Sequence, residues 1–203
     1  MSGAPLHIAG TRTFAAEVLD FALDAGLEVA GLLEPYDRER VGTTIHDRPV
    51  AWLEETPPGR ALVGTGDNDR REIVRRLLDA GWEVTGLVHP RAHVAPSASV
   101  GASALLGPGV VVGARSEIGA YAVLGRGALV GHHTTIGEHA TLGPGANVAG
   151  NVRVEPGVFV GMGALVRDHV SLGAGAVVAM GAVVVRDVPE DTEVRGVPAQ
   201  PRS

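Results

Sequence analysis

Eight histidines and no cysteine stand among the 203 residues. Imidazole is therefore the side chain that can exchange a proton near neutrality. Thiolate chemistry is excluded: the chain has no Cys nucleophile, no thiolate zinc site and no disulfide framework, which fits the cytosol. The doublet His132-His133 is the candidate for general-base work; the bland alternative is a pair of solvent-exposed turn histidines. A second kind of chemistry is available near the N-terminus. The turn Gly10-Thr11-Arg12-Thr13-Phe14-Ala15 follows a short apolar run. Backbone amides there can hold a phosphate at a helix N-terminus, and Arg12 adds positive charge.

Two kinds of element must position these groups. Residues 1–86 read as alternating strands and helices. Leu6–Gly10, Leu27–Leu33, Ala61–Gly64 and Glu83–Val88 are expected strands. Thr13–Ala25 carries Phe14, Val18, Phe21 and Ala22 at helical spacing and stops at Gly26. A second helix runs to Asp79, capped by Asp67 or Asn68, with Ile73, Val74, Leu77 and Leu78 on one face. Strands alternating with helices imply a small parallel sheet of Rossmann-like type. Glu34–Thr56 is polar and reads as a loop with one short strand.

From residue 88 the period becomes six. Aliphatic residues recur without a gap from Val88 through Val94, Val100 and Leu106 to Val184, seventeen in all. The residue four after each is always Ala, Ser, Thr or Val, and the residue directly after is Gly in ten cases. A six-residue period over a hundred residues fits neither an α-helix nor a simple strand. It fits a parallel β-helix in which each hexapeptide makes a short strand and a turn, with the aliphatic side chain inward. Glycine after the strand would supply the backbone conformations that tight corners require. With no break in the register, no long loop is inserted, so any active site is built from corner residues, the N-terminal domain and a neighbouring subunit. His132 is third in its hexapeptide, at a corner where side chains point out.

The whole chain resembles the sugar O-acyltransferase group that includes sialic-acid O-acetyltransferases and UDP-4-amino-sugar N-acetyltransferases. Three stretches carry the resemblance: Gly66-Asp67-Asn68-Asp69-Arg70-Arg71, Val130-Gly131-His132-His133-Thr134-Thr135-Ile136-Gly137-Glu138, and Ala149-Gly150-Asn151-Val152 with Val160-Gly161. The resemblance implies a left-handed β-helix of residues 87–203 behind a Rossmann-like sugar-nucleotide domain of residues 1–86. Three hexapeptides then make one triangular coil, and strand spacing of ~4.8 Å gives a prism roughly 25 Å tall. It further implies acetyl transfer from acetyl-CoA, with no metal, to an amine or hydroxyl of a nucleotide-linked sugar in surface-glycan synthesis. His132 would be the base. His133 stands where relatives have the Glu that raises the base's basicity. Thr141, Gly150, Gly161 and Ala179 would line the acetyl-CoA site, and Gly10, Thr11, Arg12, Gly66, Asp67 and Asn68 the sugar-nucleotide site. Relatives carry a second Gly and a His in the first turn, where this chain has Thr13 and Phe14. Their acidic pair after the second strand is here Glu34-Pro35. Relatives are homotrimers, with CoA in the groove between two prisms.

Composition narrows the alternatives. Net charge is −6, so no basic face for nucleic acid is expected. No long apolar stretch suggests a membrane span, and the first residues lack the pattern of a signal peptide, so a cytoplasmic protein is expected. Two other readings stay open: a non-catalytic β-helix module for binding or assembly, and a metalloenzyme like the carbonic anhydrases of this fold. Against the latter, His133 and His169 stand two coils apart, roughly 10 Å by strand spacing. The spacing of His93, His132, His133 and His139 does not match those enzymes' ligands.

Overall fold

In the computed structural model the described residues are 4–202, the side chains of Asp67, Asn68 and Asp69 excepted. The chain divides into two compact units, one ending at Thr85 and the other starting at Gly86.

The first unit runs β1 (Leu6–Ala9), α1 (Thr13–Asp24), β2 (Val29–Glu34), β3 (Thr44–Ile45), β4 (Arg48–Trp52), β5 (Arg60–Val63), α2 (Asp67–Asp79) and β6 (Glu83–Val84). Its sheet has the order β3-β4-β2-β1-β5-β6. β1 pairs in parallel with both β2 and β5, so the turn after β1 lies at the centre of the sheet. Ile8, Leu32, Leu33 and Leu62 are buried in the sheet, and α1 and α2 bury Val18, Leu19, Ile73 and Leu77. These are the faces set by their 3.6-residue spacing.

Three local expectations are corrected. Residues 34–56 hold two strands, not one, because His46 and Asp47 both adopt positive φ and close a two-residue hairpin between β3 and β4. The second helix is capped by Gly66 in extended backbone, and Asp67 is already helical. The strand expected over Glu83–Val88 is divided. Glu83–Val84 pairs with β5, whereas Leu87–Val88 pairs with Leu105–Leu106 and begins the second unit. Gly86 lies tight against the next coil of the second unit: a Cβ there would stand 2.3 Å from Ala104 O.

The second unit is a parallel β-helix. Seventeen two-residue strands, from Leu87–Val88 to Val183–Val184, recur at six-residue intervals. Each pairs with the strand 18 residues away, as Leu105 with Val123 and Thr135 with Arg153, so three strands complete one coil. The strands form three sheets, one of which is extended by Glu193–Arg195 and Gln200–Pro201. The periodic aliphatic residues fill the interior: Leu106, Leu124, Leu142, Val148 and Val160 are completely buried. The Ala and Val residues four positions on close the core at the corners.

The glycines that follow the strands serve a purpose other than the expected one. The left-handed backbone falls two positions later, at Gly109, Arg115, Tyr121, Gly127, His133, His139, Gly145 and Asn151. The glycine directly after a strand instead lets neighbouring coils approach. A Cβ on Gly119 would stand 2.7 Å from Glu138 N, and one on Gly131 only 2.4 Å from Gly150 N.

The three faces are chemically unequal. One presents Ser99, Glu117, Thr135, Arg153 and Ser171, all exposed. The next presents Val111, Leu129 and Leu165, each more than a third exposed. The third carries Leu105, Val123 and Thr141, which are buried.

Candidate active site

His132 and His133 occupy the corner after strand Leu129–Val130. His133 is held in left-handed backbone at φ 56°, and its amide donates to Ala114 O of the preceding coil at 2.9 Å. That turn aims the two rings at each other: they meet edge to face, with Nδ1 of one 3.0 Å from Nδ1 of the other. One nitrogen must donate and the other accept. The partner of His132 is thus a second imidazole. Glu138, the nearest acidic residue in the sequence, turns to His139, with Oε1 4.0 Å from Nε2.

Gly150 lies one coil beyond His132, and the imidazole rests on it. An ideal Cβ at 150 would stand 2.7 Å from the ring's Cε1 and 2.8 Å from Nε2. The carbonyl of His132 accepts from Asn151 N at 2.9 Å, tying the two turns together. Gly150 is therefore the seat of the ring.

The other residues assigned to acetyl-CoA stand on a different part of the coil. Thr141 lies on the outer side of strand Thr141–Leu142, paired with Phe159, and is 7% exposed. Gly161 and Ala179 follow the next two strands of that same sheet. A Cβ on Gly161 would approach Met180 N to 2.5 Å. His132, His133 and Gly150 form one group, and Thr141, Gly161 and Ala179 another.

In the first unit Gly10, Thr11, Arg12 and Gly66 line one cleft, together with Phe14, Glu34, Tyr36 and Thr65. Gly10 has φ 119°, and a Cβ there would meet Gly64 O at 2.9 Å. Gly64 in turn lets α1 close on the sheet, since its Cβ would stand 2.8 Å from Ala15 Cα. Arg12 takes the N-cap position of α1, exposed, with no side-chain cap bonded to the helix amides. Asp67 and Asn68, assigned to the same site, lie outside the described side chains.

Two further residues of the cleft, Tyr36 and Thr65, are not marked by the sequence, and Glu34 is marked there only as part of a reduced acidic pair. Glu34 is buried and accepts from the Thr11 hydroxyl, from Tyr36 N at 2.8 Å and from Asp37 N at 3.0 Å. It knots the turn after β2 to the turn after β1. Tyr36 packs against the Arg76 guanidinium, which is anchored on Pro35 O at 2.7 Å and on Glu54. Thr65 Oγ1 is buried without a hydrogen-bond partner among the described residues. The signal for Glu34 was its place at the end of the second strand, where an acidic residue commonly serves a nucleotide site.

Among the described residues no group of three or more His, Cys, Asp or Glu is placed to hold a metal ion. Nor is any described helix long and apolar enough to cross a membrane.

A parallel β-helix of hexapeptides with a histidine corner is the architecture of hexapeptide-repeat transferases, and comparison with known proteins places the chain among them. The profile of bacterial transferase hexapeptides (six repeats) matches residues 115–150, the segment that contains this corner. No protein of curated function matches the sequence. Among solved structures, GDP-perosamine N-acetyltransferase from Caulobacter crescentus, in complex with CoA and GDP-perosamine, is 31% identical. The match covers 100% of this chain and 98% of that one, with a TM-score of 0.90. The acetyltransferase domain of PglB from Neisseria gonorrhoeae, in complex with acetyl coenzyme A, is 27% identical over 99% of this chain and 100% of that one, TM-score 0.88. WeeI from Acinetobacter baumannii shares the fold at 23% identity, over 98% of this chain and 99% of that one, TM-score 0.90. The chain belongs to the hexapeptide-repeat sugar N-acetyltransferase family of which the Caulobacter enzyme is a member.

Proposed function

We propose that the protein transfers the acetyl group of acetyl-CoA to the amine of a nucleotide-linked amino sugar, in the cytoplasm, for surface-glycan synthesis. The observation that carries the reading is the His132 ring seated on Gly150 with its Nδ1 on His133. For His132 to act as base through Nε2, its Nδ1 carries the proton and donates to His133 Nδ1, so His133 is a neutral acceptor protonated on Nε2. As the sugar nitrogen attacks the thioester carbonyl carbon, Nε2 takes the proton from that nitrogen. The tetrahedral oxyanion collapses, the C–S bond breaks, and the imidazolium returns the proton to the leaving CoA sulfur. Thr141, Gly150, Gly161 and Ala179 are assigned to the acetyl-CoA site, with the small residues giving CoA access to the backbone.

The first unit is read as a Rossmann-like sugar-nucleotide domain and the second as a left-handed β-helix. In the cleft the phosphates meet the uncapped start of α1 and Arg12, which supplies the charge that the altered first turn needs. Thr11, held by Glu34, shapes the floor, and Phe14 and Tyr36 offer flat walls for the base. Gly66, Asp67 and Asn68 are assigned to the same nucleotide site.

The deciding experiment mixes the protein with acetyl-CoA and UDP-, GDP- and dTDP-amino sugars and follows CoA release. Release with at least one sugar is expected; silence across the set would refute the reading. With the active sugar, Arg12→Ala is expected to raise its KM and leave that for acetyl-CoA unchanged, the mark of lost ground-state binding. Unchanged sugar kinetics, with free nucleotide failing to compete, would remove the nucleotide from the reading.

The exposed strip Val111, Leu129 and Leu165 supports a homotrimer, in which a second copy covers the strip and completes the CoA groove. Light scattering should give three times 20.8 kDa, about 62 kDa. A monomer at micromolar concentration would dismiss the trimer.

A further inference from the structure

Among the described residues, the two inward-facing positions of each hexapeptide are aliphatic except at Ser116 and Thr134. Ser116 and Thr134 stand 18 residues apart in one inner column, and both are completely buried. Buried hydroxyls must find partners, and these two find them in the corner that carries His132 and in the turn one coil further on. At most corners the turn is closed by its own backbone: Ala104 N donates to Gly101 O at 3.0 Å, Ala128 N to Gly125 O at 3.1 Å and Ala146 N to Gly143 O at 3.0 Å. The equivalent ends of the His132-His133 turn are Gly131 O and Thr134 N. The Ser116 hydroxyl is placed between them. It donates to Gly131 O at 2.7 Å and accepts from Thr134 N at 3.1 Å. One coil further on, Thr134 does the same for the turn that contains Gly150. Its hydroxyl donates to Ala149 O at 2.9 Å and accepts from Val152 N at 3.2 Å.

We propose that Ser116 and Thr134 are positioning residues for His132. One hydroxyl bridges the ends of the turn that bears the imidazole, the other bridges the ends of the turn on which it rests, and together they set the pose of the ring. The geometry is independent of the substrate, but its consequence for catalysis rests on the reading of His132 as the base. Thr134 is placed to act on both sides: its amide belongs to the first turn and its hydroxyl to the second. Removing that hydroxyl breaks the bridge between Ala149 O and Val152 N, which frees the Gly150 seat to move.

Thr134→Val keeps the shape and removes the hydroxyl; Thr134→Ser keeps the hydroxyl. Val170→Ala, two coils further along the same column, changes interior packing outside both turns. With an amino-sugar acceptor and acetyl-CoA, Thr134→Val is expected to lower kcat roughly 10- to 100-fold, the scale of a misplaced reacting group. The KM for acetyl-CoA should hold, Thr134→Ser should recover most of the rate, and Val170→Ala should leave kcat near wild type. Imidazole NMR signals of His132 and His133 should move in Thr134→Val and return in Thr134→Ser. Should Thr134→Val not fold, Ser116→Ala carries the same comparison on the first turn. Unmoved imidazole signals, an undiminished kcat, or an equal loss in Val170→Ala would each overturn the proposal. If the wild-type protein transfers to no sugar, the functional reading falls, and the imidazole spectra alone decide whether the hydroxyls place the ring.

Discussion

His132→Ala is expected to lower acetyl transfer by ~10²–10⁴-fold, the usual effect of removing a general base, while assembly and CoA binding persist. The side chain is exposed, so its loss empties no core position. Its backbone is tied by the carbonyl, which accepts from Asn151 N, and that bond is indifferent to the side chain. His133→Ala should cost less, because it removes only the acceptor that fixes the tautomer of His132. CoA release, light scattering and calorimetric CoA titration on the two variants give the comparison. A dead His133→Ala beside an active His132→Ala would transfer the role of base to His133.

The second large effect is expected from Gly150→Ala. Most glycines of the β-helix that press on the next coil meet backbone, as Gly131 meets Gly150 N, and a methyl there must disturb the stack. Gly150 meets the His132 ring instead, its would-be Cβ lying 2.7 to 3.1 Å from three ring atoms. A ring can swing away where backbone cannot. The variant should therefore fold and melt close to wild type, yet lose roughly 100-fold in kcat, since the displaced ring no longer presents Nε2 to the acceptor. Thermal melting and steady-state rates measured together separate the two effects. A large fall in melting temperature, or a wild-type rate, would show that the ring is not seated there.

The six-residue period was legible because each periodic aliphatic side chain points into one narrow core, where a gap or an unbonded polar group is costly. The histidine corner was legible by resemblance, and its place outside the coil by register. What the period could not show is which glycine bends the chain and which merely makes room. Gly131 and Gly150 look alike in sequence, but one faces backbone and the other an imidazole. Ser116 and Thr134 were visible as members of the small-residue column. Grouping them with Ala and Val concealed that a hydroxyl can replace a turn's own hydrogen bond. In the first unit Glu34 was seen as a remnant of an acidic pair. Of its three accepted hydrogen bonds, those from Tyr36 and Asp37 are local to its own turn, and only the Thr11 hydroxyl is brought to it by the parallel pairing of β1 and β2.

The uninterrupted 18-residue register also determines how the stack comes apart. Each coil leans only on the one before and the one after, so its stability follows a nearest-neighbour chain rather than a single all-embracing core. Fraying in such a chain starts at the terminal rungs, and the probability of opening falls with each interface crossed. His132 belongs to the coil that spans 124–141, with two coils on its N-terminal side and more than two on its C-terminal side. The imidazole pair thus rides on the part of the column that opens last, and its geometry outlasts partial melting at either end.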